Sequence, residues 1–114
     1  MRGDNIVTKQ EEQIIEQFQL YQQQAQNITT QKNTFTMELR EINNAIDEME
    51  KSKEEYVYRI SGPILVKAKK SEVKKELEEK KEIIELRIKT LERQEEKVKE
   101  KLDELKEKIQ SIKL

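Results

Sequence analysis

The sequence predicts a mainly α protein, a long antiparallel two-helix coiled coil whose arms are joined by a single short β-hairpin. Three observations predict it. Apolar residues recur every seven positions in both halves of the chain. Helix breakers are confined to two glycines and one proline among 114 residues, with Gly62 and Pro63 adjacent near the middle. Around that pair the composition changes to β-branched and aromatic residues, in Tyr56-Val-Tyr-Arg-Ile-Ser-Gly-Pro-Ile-Leu-Val-Lys67.

The first arm is expected over residues 9–51. Ile14, Tyr21, Ile28, Phe35, Ile42 and Met49 step by sevens, and Phe18, Ala25, Lys32, Leu39 and Ile46 follow four residues after each. This is an unbroken d/a series with one charged member, Lys32, and a period of 3.5 implies a left-handed supercoil. A chain that is 41% charged and 33% apolar would otherwise read as disordered; the sustained register excludes that. Asp4 or Thr8 is a candidate cap, but neither is expected to open a full capping box. Nine glutamines between Gln10 and Gln31 give this arm a low-charge surface near its free end.

The hairpin is expected over residues 56–67. Alternation places Val57 and Arg59 on one face of its first strand, and Tyr58 and Ile60 on the other. A lone hairpin is marginal in water, and its edges leave backbone groups unpaired. Val57, Tyr58, Ile60, Ile64, Leu65 and Val66 are therefore candidate oligomerisation residues, in a sheet or barrel shared among several chains. The competing expectation is that they pack on the root of the coiled coil.

The second arm is expected over residues 71–112, capped by Ser71, with Glu72 in its first turn. Leu77, Ile84, Leu91, Val98, Leu105 and Ile112 form one series, and Lys81, Ile88, Glu95, Leu102 and Ile109 the other. From Ser71 to Leu114 there are 13 basic and 13 acidic residues. Glu76–Lys80, Glu85–Lys89, Glu95–Lys99 and Glu104–Lys108 have the spacing of helix-supporting pairs. Each arm spans roughly 60–65 Å at 1.5 Å per residue. With Lys51 opposite Glu72, Phe35 faces Ile88, Ile42 faces Lys81, Ile28 faces Glu95, and Lys32 lies within reach of Glu92 or Glu95.

Composition also bounds function. The chain has no cysteine and no histidine, so the commonest nucleophile, base and metal ligand are missing, and there is no glycine-rich phosphate loop. An enzyme is not expected, nor a cofactor or a nucleotide-driven cycle. A net charge of −1 gives no reason to expect nucleic acid or membrane as a partner. No signal peptide or membrane span is read, and a cytoplasmic location is expected.

The run Val57-Tyr-Arg-Ile-Ser-Gly-Pro-Ile-Leu-Val-Lys67 resembles the central segment of β-type prefoldin subunits, with Arg59 where lysine is commoner. Leu86-Arg-Ile-Lys-Thr-Leu-Glu-Arg-Gln-Glu95 resembles the archaeal version. The resemblance runs from about Lys9 to Gln110, within one domain over residues 1–114. The α-type subunit carries two hairpins, and only one fits between Lys51 and Ser71.

The resemblance implies a subunit of a hexamer of two α-type and four β-type chains, built on its hairpins. It implies an ATP-independent holdase that captures unfolded proteins at the coiled-coil tips and delivers them to a group II chaperonin. Candidate client-binding residues are Ile6, Val7, Ile14, Ile15, Phe18, Leu105, Ile109, Ile112 and Leu114, where the two termini meet. The alternative is a structural coiled-coil adaptor or oligomerisation module with no chaperone activity.

Overall fold

The computed structural model describes residues 8–112. Helix α1 runs Lys9–Lys51, strand β1 Tyr56–Ser61, strand β2 Ile64–Lys69 and helix α2 Lys70–Gln110. The chain divides into two compact units. Among the described residues, one comprises residues 8–32 with 90–112, the other Asn33–Lys89.

Helix α1 opens with a full capping box, contrary to the sequence expectation. The Thr8 amide donates to Glu11 Oε1 at 2.8 Å, and the Glu11 amide donates to Thr8 Oγ1 at 3.1 Å. Thr8-Lys-Gln-Glu11 is the Thr-x-x-Glu signature, satisfying two helix-end donors reciprocally. The other candidate cap, Asp4, lies outside the described residues. Helix α1 ends where the Ser52 side chain accepts from the Glu54 amide at 3.1 Å. The Ser52 carbonyl, left over by the ending helix, accepts from Lys70 Nζ at 2.6 Å.

Helix α2 begins one residue earlier than expected, so Ser71 lies inside its first turn rather than capping it. The reason is continuity with the strand. The Lys70 amide donates to the Glu55 carbonyl at 2.9 Å, carrying the hairpin ladder up to the helix start. At the other end, Ser111 Oγ donates to the Lys108 carbonyl at 2.7 Å, closing the last turn.

In the unit Asn33–Lys89, the core is Ile42, Ile46 and Met49 from α1 against Ile84 from α2. Phe35, Leu39, Leu77, Ile88, Val57 and Val73 pack around it. In the other unit, Ile28 of α1 and Leu91, Val98 and Leu105 of α2 are buried. Ile14, Phe18, Tyr21, Ala25, Leu102 and Ile109 are half-buried there. The members of the heptad series are buried or half-buried, including the charged Lys32, Lys81 and Glu95. A helix with apolar residues at two positions in seven has a single stripe to bury, and an opposing helix covers it.

Lys32 Nζ meets Glu95 Oε1 at 3.0 Å within the seam. Of the two acidic residues expected within its reach, Lys32 thus takes Glu95. The hydrogen bond to Glu95 raises the Lys32 pKa above its ordinary value, while partial burial works against the rise.

The pairs expected along α2 are largely replaced by links between elements. Glu76 takes Arg59 of β1 at 3.0 Å, Lys80 takes Glu38 of α1 at 3.1 Å, and Lys74 takes Glu50 of α1 at 3.0 Å. Glu104 takes Lys101 on its own helix at 3.5 Å. Opposing elements hold partners within reach, so these side chains turn across the groove instead of along the helix. Exposed pairs of this kind contribute about 0–1 kcal/mol each.

Neighbouring residues of α2 separate seam from surface. Ile84 is 3% exposed and Ile83 is 54% exposed. Ile84→Ala is expected to destabilise the fold by about 2–4 kcal/mol, and Ile83→Ala by about 0.5 kcal/mol or less. Urea titration followed by the helical circular-dichroism signal measures both. The raised pKa of Lys32 gives a second expectation. Its contribution to stability is fully present below the unfolded lysine value of about 10.4 and is lost as pH rises through the folded value. Lys32→Gln should therefore lower the urea midpoint at neutral pH, and its difference from the wild type should shrink as the lysine range is crossed.

Candidate functional site

Two surfaces carry the predicted residues, one on each unit. The first is the hairpin. Its register pairs Tyr56 with Lys69, Tyr58 with Lys67 and Ile60 with Leu65 on one face. Val57 with Ala68, Arg59 with Val66 and Ser61 with Ile64 make the other. Ser61 and Ile64 directly adjoin Gly62 and Pro63, because the loop consists of those two residues alone. Gly62 has φ +59°. A positive φ followed by the fixed negative φ of proline is the type II′ pattern, whose twist matches that of the strands. The site around Gly62 is open, so it is the backbone conformation, not space, that calls for glycine.

Alternation alone does not separate the six predicted residues, since Ile64 and Val66 share the face of Val57. Val57 packs inward on the helix core. Tyr58, Ile60, Ile64, Leu65 and Val66 are exposed, Ile60 to 80%. The expectation that all six pack on the coiled-coil root thus holds for Val57 alone. The outer face gains order from Lys67, whose ammonium lies 4.5 Å from the centre of the Tyr56 ring. Tyr56 belongs to this face too, and sequence reasoning left it out of the candidate set; the alternation with Tyr58 and Ile60 was the signal. On the other face Arg59 is tied to Glu76, which fixes the hairpin against α2. Both strands are sheet edges, since the sheet has two strands only. An exposed apolar face bounded by two open edges is a surface for pairing with further strands.

The second surface belongs to the unit containing Lys9 and Gln110. Ile14, Phe18, Leu105 and Ile109 lie in the seam, with Leu105 buried and the other three half-buried. Ile112 is half-buried just after α2. Ile15 is half-buried although it lies off the a/d stripe. Ile6, Val7 and Leu114 lie outside the described residues. Sequence reasoning passed over a recess on one side of this unit. A cavity of about 430 Å³ is lined by Tyr21, Ile28 and Val98 together with Gln24, Gln94, Lys97, Glu100, Lys101 and Glu104. A second, of about 350 Å³, shares Tyr21, Gln24, Lys101 and Glu104 with it and adds Gln17, Leu20, Leu105 and Lys108. Leu20 is 63% exposed. No signal in the heptad pattern marks such a recess, because it depends on which side chains flank the seam.

Comparison with known proteins agrees with this architecture. A family model described as "Prefoldin subunit" matches residues 12–113. The chain belongs to the prefoldin subunit family, a family of chaperone subunits rather than enzymes.

Within that family the likeness is to the β type. The chain is 46% identical over 86 residues to the prefoldin subunit beta of Archaeoglobus fulgidus, covering 75% of this chain and 74% of that one. It is 42% identical over 77 residues to the prefoldin subunit beta of Sulfurisphaera tokodaii, covering 67% of this chain and 62% of that one. The crystal structure of the prefoldin beta subunit from Thermococcus strain KS-1 superposes with a TM-score of 0.83 at 40% identity. That match covers 93% of this chain and 94% of the other.

Proposed function

We propose that the chain is the β-type subunit of a hetero-oligomeric, ATP-independent holdase. In this reading its hairpin joins it to other prefoldin subunits, two α-type with four β-type. The unit that holds the start of α1 and the end of α2 captures unfolded proteins and passes them to a group II chaperonin. The observation that supports the reading is that the chain carries two separate apolar surfaces, one in each unit. The exposed apolar hairpin face with two open edges lies in one unit. The half-buried apolar residues near the helix termini, among them Ile14, Phe18 and Ile109, lie in the other.

The mechanism is passive. Each chain offers weak apolar contacts, and several chains held together engage one client at once, so avidity supplies the affinity. Surfaces without a fixed partner geometry accept many sequences. Release needs no nucleotide when a competing acceptor takes the client. No helix among the described residues is long and apolar enough to cross a membrane, and we place this work in the cytoplasm. The adaptor reading accounts for the heptads equally well but gives the exposed hairpin face no task.

Two double substitutions test the roles separately. Phe18→Glu with Ile109→Lys should abolish suppression of aggregation of an unfolded protein and leave the native mass of the assembly unchanged. Loss of the assembly in that variant would contradict the separation. Ile60→Asp with Val66→Asp should dissociate the complex with an α-type subunit, read by native mass, and retain the helical circular-dichroism signal. A wild-type chain that forms a stable dimer and ignores the α-type subunit would favour the adaptor.

A further inference from the structure

Off the seam, the outward face of a helix in this chain is polar, and one place on α2 departs from that. Ile83 and Leu86 are both exposed, Leu86 to 65%, and their spacing of three sets them on one face. One heptad to either side of Ile83 stand Glu76 and Thr90; one heptad to either side of Leu86 stand Glu79 and Arg93. Leu20 and Met37, the other large apolar side chains exposed on the described parts of the helices, have only polar residues three and four positions away. The apolar pair is framed by charge in a definite order. Glu82 and Lys89 are both exposed and two helical turns apart, so they share one flank of this face, with Leu86 between them. On the other flank the cations are turned away toward α1. Lys80 meets Glu38 at 3.1 Å, and the Arg87 guanidinium lies 5.6 Å from the Phe35 ring centre.

We propose that this face is a contact between two copies of the chain, laid antiparallel along α2. A two-fold axis at the level of Ile83 and Leu86 brings Ile83 of each copy onto Leu86 of the other. Antiparallel helices related by such an axis oppose the same flank, so the operation also sets Glu82 of each copy beside Lys89 of the other. Two apolar pairs are thereby closed by two ion pairs, with Glu79 adding an anion at the acidic end. The order acid, apolar, base is what selects the occupant. A second copy laid parallel would set Glu82 on Glu82 and Lys89 on Lys89. A wholly acidic or wholly basic partner would be attracted at one end and repelled at the other. Only a reversed copy satisfies both ends. The contact is smaller than a stable interface, so it forms and dissolves with concentration. It uses no hairpin residue and is therefore additional to any assembly that the hairpin makes.

Sedimentation velocity of the full-length chain over a concentration series tests the contact. The mass is expected to rise above its low-concentration value, and Ile83→Gln with Leu86→Gln should hold it at that value with an unchanged helical circular-dichroism signal. Glu82→Lys and Lys89→Glu should each weaken the association by about three- to tenfold. The two reversals combined should restore it to within about twofold of the wild type, because acid and base then merely exchange ends. Zero-length carbodiimide crosslinking of an equal mixture of isotopically heavy and light chains locates the contact. A link from Glu82 of a light chain to Lys89 of a heavy one is expected; within one chain these residues are roughly 10 Å apart along the helix, too far for such a link. A wild-type mass that does not change with concentration overturns the contact. So does a double reversal no better than the single ones, or the absence of heavy-to-light links at these residues. The hairpin assembly is read separately, from the low-concentration mass.

Discussion

Everything in this molecule depends on burying one narrow stripe of each helix. With apolar side chains at two positions in seven, neither α1 nor α2 has a second hydrophobic face to offer, and neither is stable alone in water at this composition. Pairing the stripes supplies the core of each unit, Ile42, Ile46, Met49 and Ile84 in one, and Ile28, Leu91, Val98 and Leu105 in the other. The same economy leaves nothing to cover the hairpin. Its outer residues remain in solvent because the helices have spent their apolar surface on each other.

Charge works on top of that constraint rather than against it. Lys32 and Glu95 occupy seam positions where an aliphatic pair would hold more tightly, and they meet each other. A slip of one heptad would leave each facing apolar side chains, so the pair disfavours wrong alignments at a cost in stability. Arg59 with Glu76 does comparable work for the hairpin, tying a strand to the helix beside it. The exposed charges of α2 contribute less to stability and more to keeping a long apolar stripe soluble while it is unpaired.

The heptad spacing made the helices, their antiparallel pairing and the seam legible from sequence, since a period is a property of order along the chain. The Gly62-Pro63 turn was legible for the same local reason. Thr8-x-x-Glu11 was equally legible in principle and was passed over because no apolar residue follows Thr8 closely; the reciprocal hydrogen bonds need only the threonine and the glutamate. What spacing does not report is competition between partners. Glu76, Lys80 and Glu95 have helix-supporting neighbours four residues away, yet Arg59, Glu38 and Lys32 take them. The side recess at Tyr21 and Val98 was hidden likewise, because it arises from what flanks the seam on two separate helices. The inward turn of Val57 follows from alternation, but which face meets the helices does not.

The two-residue loop of the hairpin has a consequence for how this gene tolerates change. Side chains alternate across each strand, and Gly62-Pro63 leaves no slack between Ser61 and Ile64. Replacing one aliphatic residue by another on the outer face preserves the pattern. Inserting or deleting a single codon in either strand does not. Every residue beyond it would change faces, sending Val57 or Ala68 outward and a tyrosine or lysine toward the helices. The hairpin is therefore a segment in which letters may vary and length may not.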